Sequence, residues 1–205
     1  MSKGIALFIS YFLHPLLMPT YFFGVLLLVA PDFFRPLNDE QALEIVLRLS
    51  VVTLLLPTLS ISILKFTGNI SSIHLAKQKE RLMPYLFTAV YYGVLTYIFY
   101  QGLSFHAFFV VMSSILLLIL ALVAINFWIK VSAHASGITG VLGFLWALKL
   151  SDAEEAMLYP IVAIIVVSGL VMSARLKLNA HNPLQVYLGA LIGFTICFCG
   201  AYFFL

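Results

Sequence analysis

Arg175 and His181 lie six residues apart in the stretch 172–193, MSARLKLNAHNPLQVYLGALIG. A guanidinium can grip two oxygens of an oxyanion at once, and an imidazole can attack or exchange a proton. Asn182-Pro183 reads as an N-cap followed by proline at the first helical position, which puts His181 just outside a helix mouth. Free backbone N–H groups and the positive end of the helix dipole favour an anion there. A second mouth is predicted at Ser132-Ala133-His134-Ala135-Ser136-Gly137, again with an imidazole. Two histidines at two mouths suit an acid and a nucleophile. A third cluster, Lys77-Gln78-Lys79-Glu80-Arg81, precedes another apolar run that opens at Pro84.

The elements that must hold these groups are membrane helices. The chain has 205 residues, of which 63% are hydrophobic and 9% charged, far from the usual quarter charged of a soluble domain. A net charge of +3 is too small and too local to point to nucleic acid. Apolar runs near the ~20 residues that cross a bilayer fall at about 5–30, 43–66, 84–101, 106–129, 133–150, 156–174 and 184–204. The expected fold is all-α: one polytopic helical bundle of six or seven spans over residues 1–205, with helices because backbone groups in hydrocarbon must be satisfied within a segment. His14-Pro15 and Pro19 should kink the first run or make it re-entrant, and Pro57 should bend the second.

Even numbers of spans separate the segments 67–83, 130–133 and 175–183, so all three motifs are expected at one membrane face. That face holds Lys3, Lys65, Lys77, Lys79, Arg81, Lys130, Arg175 and Lys177. The opposite loops hold Asp32, Asp39, Glu40, Asp152, Glu154 and Glu155, with Arg35 and Lys149 as basic exceptions. The positive-inside rule then makes the motif face cytoplasmic, although a phosphate site needs cations on either side. Gly137, Gly140 and Gly143 in the fifth run and Gly189 and Gly193 in the seventh would let two backbones approach closely. Glu44 is a ready i,i+4 partner for Arg48, Lys177 reads as a snorkelling side chain, and Cys197 and Cys199 read as small hydrophobes. His14 and His106, with no motif around them, read as structural.

These motifs resemble the signature of the type 2 phosphatidic acid phosphatase and vanadium haloperoxidase superfamily: Lys-x6-Arg-Pro, Pro-Ser-Gly-His and Ser-Arg-x5-His-x3-Asp. The resemblance covers about residues 74–193. Arg175 and His181 keep the family spacing, and Ser132-Ala133-His134 falls on Ser-Gly-His with Ala133 for glycine and Val131 for proline. His74 stands at the lysine position, the motif proline is displaced to Pro84, Ser173 is one residue further from Arg175, and Gln185 replaces the aspartate. The resemblance implies that His181 attacks phosphorus to form a phosphohistidine, that His134 protonates the leaving oxygen and then activates water, and that Gln185 orients the nucleophile. It implies phosphate binding by Arg81, Arg175, Lys77 or Lys79, Ser132 and the amide of Ala133. Gln185 also stands three residues after Asn182, where it would serve a capping box. Family members commonly face away from the cytoplasm, opposite to the charge rule, so the orientation stays open.

Glu80 is the one carboxylate on the motif face, too few for a two-metal phosphatase or an aspartate-rich phosphotransferase. The expected chemistry therefore needs no metal and no cofactor. The expected activity is hydrolysis of a lipid phosphate or polyprenyl diphosphate by a multi-pass protein of the cell (inner) membrane. The alternative is a catalytically silent relative that binds phosphorylated lipid or serves a membrane assembly. A transporter or channel finds little support, since few polar residues fall mid-span. Oligomeric state is not written in the sequence.

Overall fold

The computed structural model describes residues 1–73, 75, 77–102, 105–152 and 155–205. His74 and Glu154, both used above, lie outside the described residues. Nine α-helices follow in order among the described residues: α1 Lys3–Phe12, α2 Met18–Val29, α3 Asp39–Ser50, α4 Leu56–Phe66, α5 Leu82–Gln101, α6 His106–Ile125, α7 Ala133–Asp152, α8 Leu158–Lys177 and α9 Pro183–Phe204. No strand occurs among those residues. Six helical stretches are long and apolar enough to cross a membrane, which makes the chain an integral membrane protein. They are Lys3–Val29, Asp39–Phe66, Gln78–Gln101, His106–Ile125, Leu158–Lys177 and Pro183–Phe204.

The seventh expected run, α7, is a 20-residue helix that falls outside this set because glycine, serine, threonine and histidine dilute it. Its surroundings explain the composition: α7 packs against α2, α6, α8 and α9, so much of its surface meets protein, and Ala135, Ser136, Ile138, Phe144 and Leu145 are almost wholly buried. Its closest partner is α9. A Cβ on Gly143 would stand 2.5 Å from the Phe194 carbonyl oxygen, one on Gly189 would stand 2.7 Å from that of Ser132, and one on Gly193 would run into the Ser136 backbone. The missing side chains permit the contact, as the spacing predicts. Gly137 faces elsewhere, toward Pro15 and Met18.

Two spans are interrupted. Between α1 and α2 the chain leaves the helix at Leu13 and makes a 3₁₀ turn, Pro15–Leu17. The residue before a proline is pushed out of the helical region, and His14 is extended (φ −69°, ψ 139°), its Nδ1 accepting from the Leu16 N–H at 3.3 Å. Between α3 and α4 the rod widens into a π-helical stretch, Val51–Leu55, just before Pro57. The end of the bundle away from the motifs is closed by phenylalanine: Phe108 has ring centroids of Phe23 and Phe99 at 5.1 Å and of Phe34 at 5.7 Å. Arg48 pairs with Glu44, as expected from the sequence, and Arg35 with Asp32.

Candidate functional site

The distance from Arg175 to His181 is fixed by two back-to-back helix caps. α8 ends in a Schellman turn in which Ala180 N–H donates to the Arg175 carbonyl at 3.2 Å and Asn179 N–H to that of Leu176 at 3.0 Å. The left-handed residue this turn needs is Asn179, φ 52°, a residue type that tolerates the conformation. Three residues later Asn182 caps α9: its side chain accepts from the Gln185 N–H at 2.9 Å, and Gln185 Oε1 accepts from the Asn182 N–H at 3.3 Å. Local rules thus fold 175–185 into a tight corner with His181 between the helix ends.

His181 is buried and its ring is oriented from behind. Nδ1 lies 3.1 Å from Gln185 Oε1 and 3.2 Å from the Lys130 carbonyl oxygen. Both are acceptors, so Nδ1 carries the hydrogen and Nε2 keeps its lone pair. Gln185 therefore acts both as the capping residue and as the histidine's acceptor, through one oxygen. Nε2 faces Arg81 Nη2 at 3.5 Å. Burial first, then the charges of Arg81, Arg175 and Lys130, lower the His181 pKa to about 3 against a weaker opposing pull from Gln185, so the imidazole is neutral at pH 7.

The other two motif segments meet this corner, as the even count of crossings predicts. Arg81, in the 3₁₀ turn Gln78–Arg81, donates from Nε to the Leu75 carbonyl at 2.9 Å and from Nη1 to that of Val131 at 3.0 Å. Gln78 and Asn126 exchange side-chain to backbone hydrogen bonds, and Lys130 Nζ donates to the Ala180 carbonyl at 3.0 Å. Burial, followed by repulsion from Arg81 and Arg175, lowers the pKa of Lys130.

Arg81, Arg175, His134, His181, Ser10 and His14 line the polar mouth of a cavity of about 410 Å³. Its remaining wall runs into the bundle and is largely apolar, including Phe22, Tyr92, Leu118, Val141 and Phe144. Arg81 is 6% exposed. Among the described residues the ion pairs are Arg35–Asp32, Arg48–Glu44 and Lys77–Glu80, so neither arginine of the mouth has a carboxylate partner there. Arg175 Nη1 donates to Ser10 Oγ at 3.0 Å, and its Nε is buried with no hydrogen-bond partner among the described residues.

Of the expected site residues, the fold gathers His181, His134, Arg81, Arg175 and Ala133 at this cavity, with Gln185 behind His181. Three lie elsewhere. Ser132 is fully buried below α7, where its hydroxyl accepts from the Ala135 N–H at 3.4 Å as a helix cap. Lys77 and Lys79 are exposed, and Lys77 pairs with Glu80 at 3.3 Å. The 3₁₀ turn sends Arg81 inward and leaves both lysines outside. Ser10, His14 and Lys130 are the residues that motif reading missed. His14, expected to be structural, stands edge-on to His134 with ring centroids 5.3 Å apart; an ionisable residue beside a proline break inside an apolar run was its signal.

No family model, no curated protein and no solved structure matches this chain.

Proposed function

We propose that the chain is a phosphatase of the cell (inner) membrane that hydrolyses lipid phosphates or polyprenyl diphosphates, as a divergent member of the type 2 phosphatidic acid phosphatase superfamily. The observation that carries this reading is a pair of arginines without carboxylate partners among the described residues, one of them 6% exposed, at the mouth of a cavity whose depth is apolar. A buried cation is costly unless something negative pairs with it. A phosphoryl group between Arg81 and Arg175 supplies the missing charge, and an apolar tail fits the inner wall.

In this reading His181 Nε2 donates its lone pair to phosphorus, and the bond from phosphorus to the lipid oxygen breaks. His134, protonated under the charge of the bound phosphate, gives its proton to that oxygen, and the lipid alcohol, or the polyprenyl monophosphate from a diphosphate, leaves. Water then attacks phosphorus, His134 takes the proton, and the P–N bond breaks to return neutral His181 and inorganic phosphate. The arginines stabilise charge on the phosphoryl oxygens in both steps. Gln185 holds Nδ1–H but brings no charge to the phosphorylated ring, and its oxygen is shared with the Asn182 N–H. That sharing favours the second reading, a silent relative that binds phosphorylated lipid.

Phosphate release by the purified protein in detergent, from phosphatidate, lysophosphatidate and a polyprenyl diphosphate, with vanadate binding alongside, separates the two. Release from any of them, inhibited by vanadate and lost in His181→Ala, is expected. Vanadate binding without release would favour the silent relative, and neither would remove both.

A further inference from the structure

The first helix carries no motif, yet it closes the site. In α1 only Ala6 and Ser10 are buried. A buried serine in a helix ordinarily returns its hydroxyl to the carbonyl four residues back, as Ser114 and Ser136 do here. Ser10 Oγ instead accepts from Arg175 Nη1 at 3.0 Å. Its carbonyl is unusual too. A helix continuing through residue 14 would offer that oxygen the His14 N–H, but the His14-Pro15 break ends α1 at Phe12. The oxygen is then one of the helix-end acceptors with no intrahelical donor, and His134 Nε2 lies 3.0 Å from it. Nε2 must carry the hydrogen, which leaves Nδ1 to exchange a proton. The negative end of the α1 dipole points at the same two groups, where it favours cations.

We propose that Ser10 is a positioning residue of the site: its hydroxyl fixes the Arg175 guanidinium and its carbonyl fixes the tautomer and direction of the His134 ring. The proposal rests on the phosphatase reading for its consequence in turnover, while the two contacts stand apart from it. A base held by a second group is the usual arrangement of acid–base catalysis. Here a carbonyl freed by a helix break takes the orienting place.

Ser10→Ala removes the hydroxyl, keeps the carbonyl and raises helix propensity. It is expected to weaken vanadate binding and raise KM about 10-fold, the size of one hydrogen bond to a charged group, with kcat changed less than about 2-fold. Ser10→Thr should restore both. Pro15→Ala, which lets α1 continue, should instead lower kcat and shift the His134 nitrogen resonances away from the Nε2–H tautomer. Unchanged KM and vanadate affinity in Ser10→Ala, or a Thr variant as impaired as Ala, would overturn the assignment. If the wild type neither releases phosphate nor binds vanadate, the phosphatase reading fails by itself. The rate at which phenylglyoxal modifies Arg175, followed by mass spectrometry, then decides the inference: faster in Ser10→Ala upholds it, and an equal rate ends it.

Discussion

Two helices of this protein begin with the same device. At α3, Asn38 accepts from the Gln41 N–H and Gln41 Oε1 from the Asn38 N–H; at α9, Asn182 and Gln185 do the same. The residues around the two boxes differ. Before Asn38 stands Leu37, and the first turn of α3 carries Asp39 and Glu40, which neutralise the positive end of the dipole. Before Asn182 stands His181, and the first turn of α9 carries no acid. One mouth is filled by its own carboxylates, while the other is left positive beside two arginines. A capping box is a fold device in both places; the uncompensated charge and the histidine make the second a candidate site.

The comparison breaks most sharply at the residue before the box. His181→Ala is expected to reduce phosphate release below detection while vanadate still binds, whereas Leu37→Ala leaves turnover within about 2-fold; steady-state assays of both variants check this. Residual activity in His181→Ala within about 10-fold of wild type would move the nucleophile elsewhere.

Next in size is the glutamine of the box. Gln185→Asp would give the phosphohistidine of the proposed mechanism a carboxylate neighbour and should raise kcat, up to the ~10⁴-fold scale on which a serine-protease triad loses rate without its aspartate charge. Gln41→Asp should leave kcat alone. A fall in activity for Gln185→Asp would mean that its capping role outweighs its hold on the ring.

A third difference is visible in pH. The His181 pKa is about 3 in the folded protein and about 6.5 in an unfolded chain, so below pH 6.5 the unfolded state binds the extra proton. Stability from this group is complete above about pH 6.5 and declines as the pH falls toward 3. Thermal unfolding in detergent should show that decline, and His181→Gln should flatten it. The His181 ring nitrogens should not titrate between pH 8 and 5 in the free protein. A midpoint in that range would contradict the burial described here.

The smallest effect comes from making the two mouths alike. Leu184, 63% exposed, occupies the place in α9 that Glu40 holds in α3, and Leu184→Glu should weaken vanadate binding by about 2- to 5-fold, the worth of one charge at a helix end. The loss should shrink at high salt.

What was legible in the sequence was mostly local. Asn182, Pro183 and Gln185 read as the cap of α9, which set His181 at a helix mouth six residues after Arg175; the left-handed turn at Asn179 that closes this corner was not read. The meeting of the three loops followed from counting apolar runs. Lys77 and Lys79 were not separable from Arg81, because a basic run does not say which side chain a 3₁₀ turn sends inward. Ser10 was out of reach for another reason: it meets His134 and Arg175 across 124 and 165 residues, and nothing in ISYFLHP reveals that a helix break there frees a carbonyl. The spans were read nearly at their observed limits, and the first breaks at His14-Pro15, where a kink or re-entry was expected.

The π-helical stretch Val51–Leu55 matters for what kind of sequence change this protein can absorb. Such a stretch holds one residue more than an α-helical path needs, and the surplus turns everything after it by about 100° around the rod. Thr58, Ile61 and Ser62, which follow the stretch and line the cavity wall, owe their inward direction to that offset. Deleting a single residue between Val51 and Leu55 would let the rod relax into a plain α-helix, still long enough and apolar enough to insert. It would carry the wrong stripe toward the cavity. A chain altered in this way would reach the membrane in good order with its caps and arginines in place and find the inner wall of its cavity rebuilt from lipid-facing side chains.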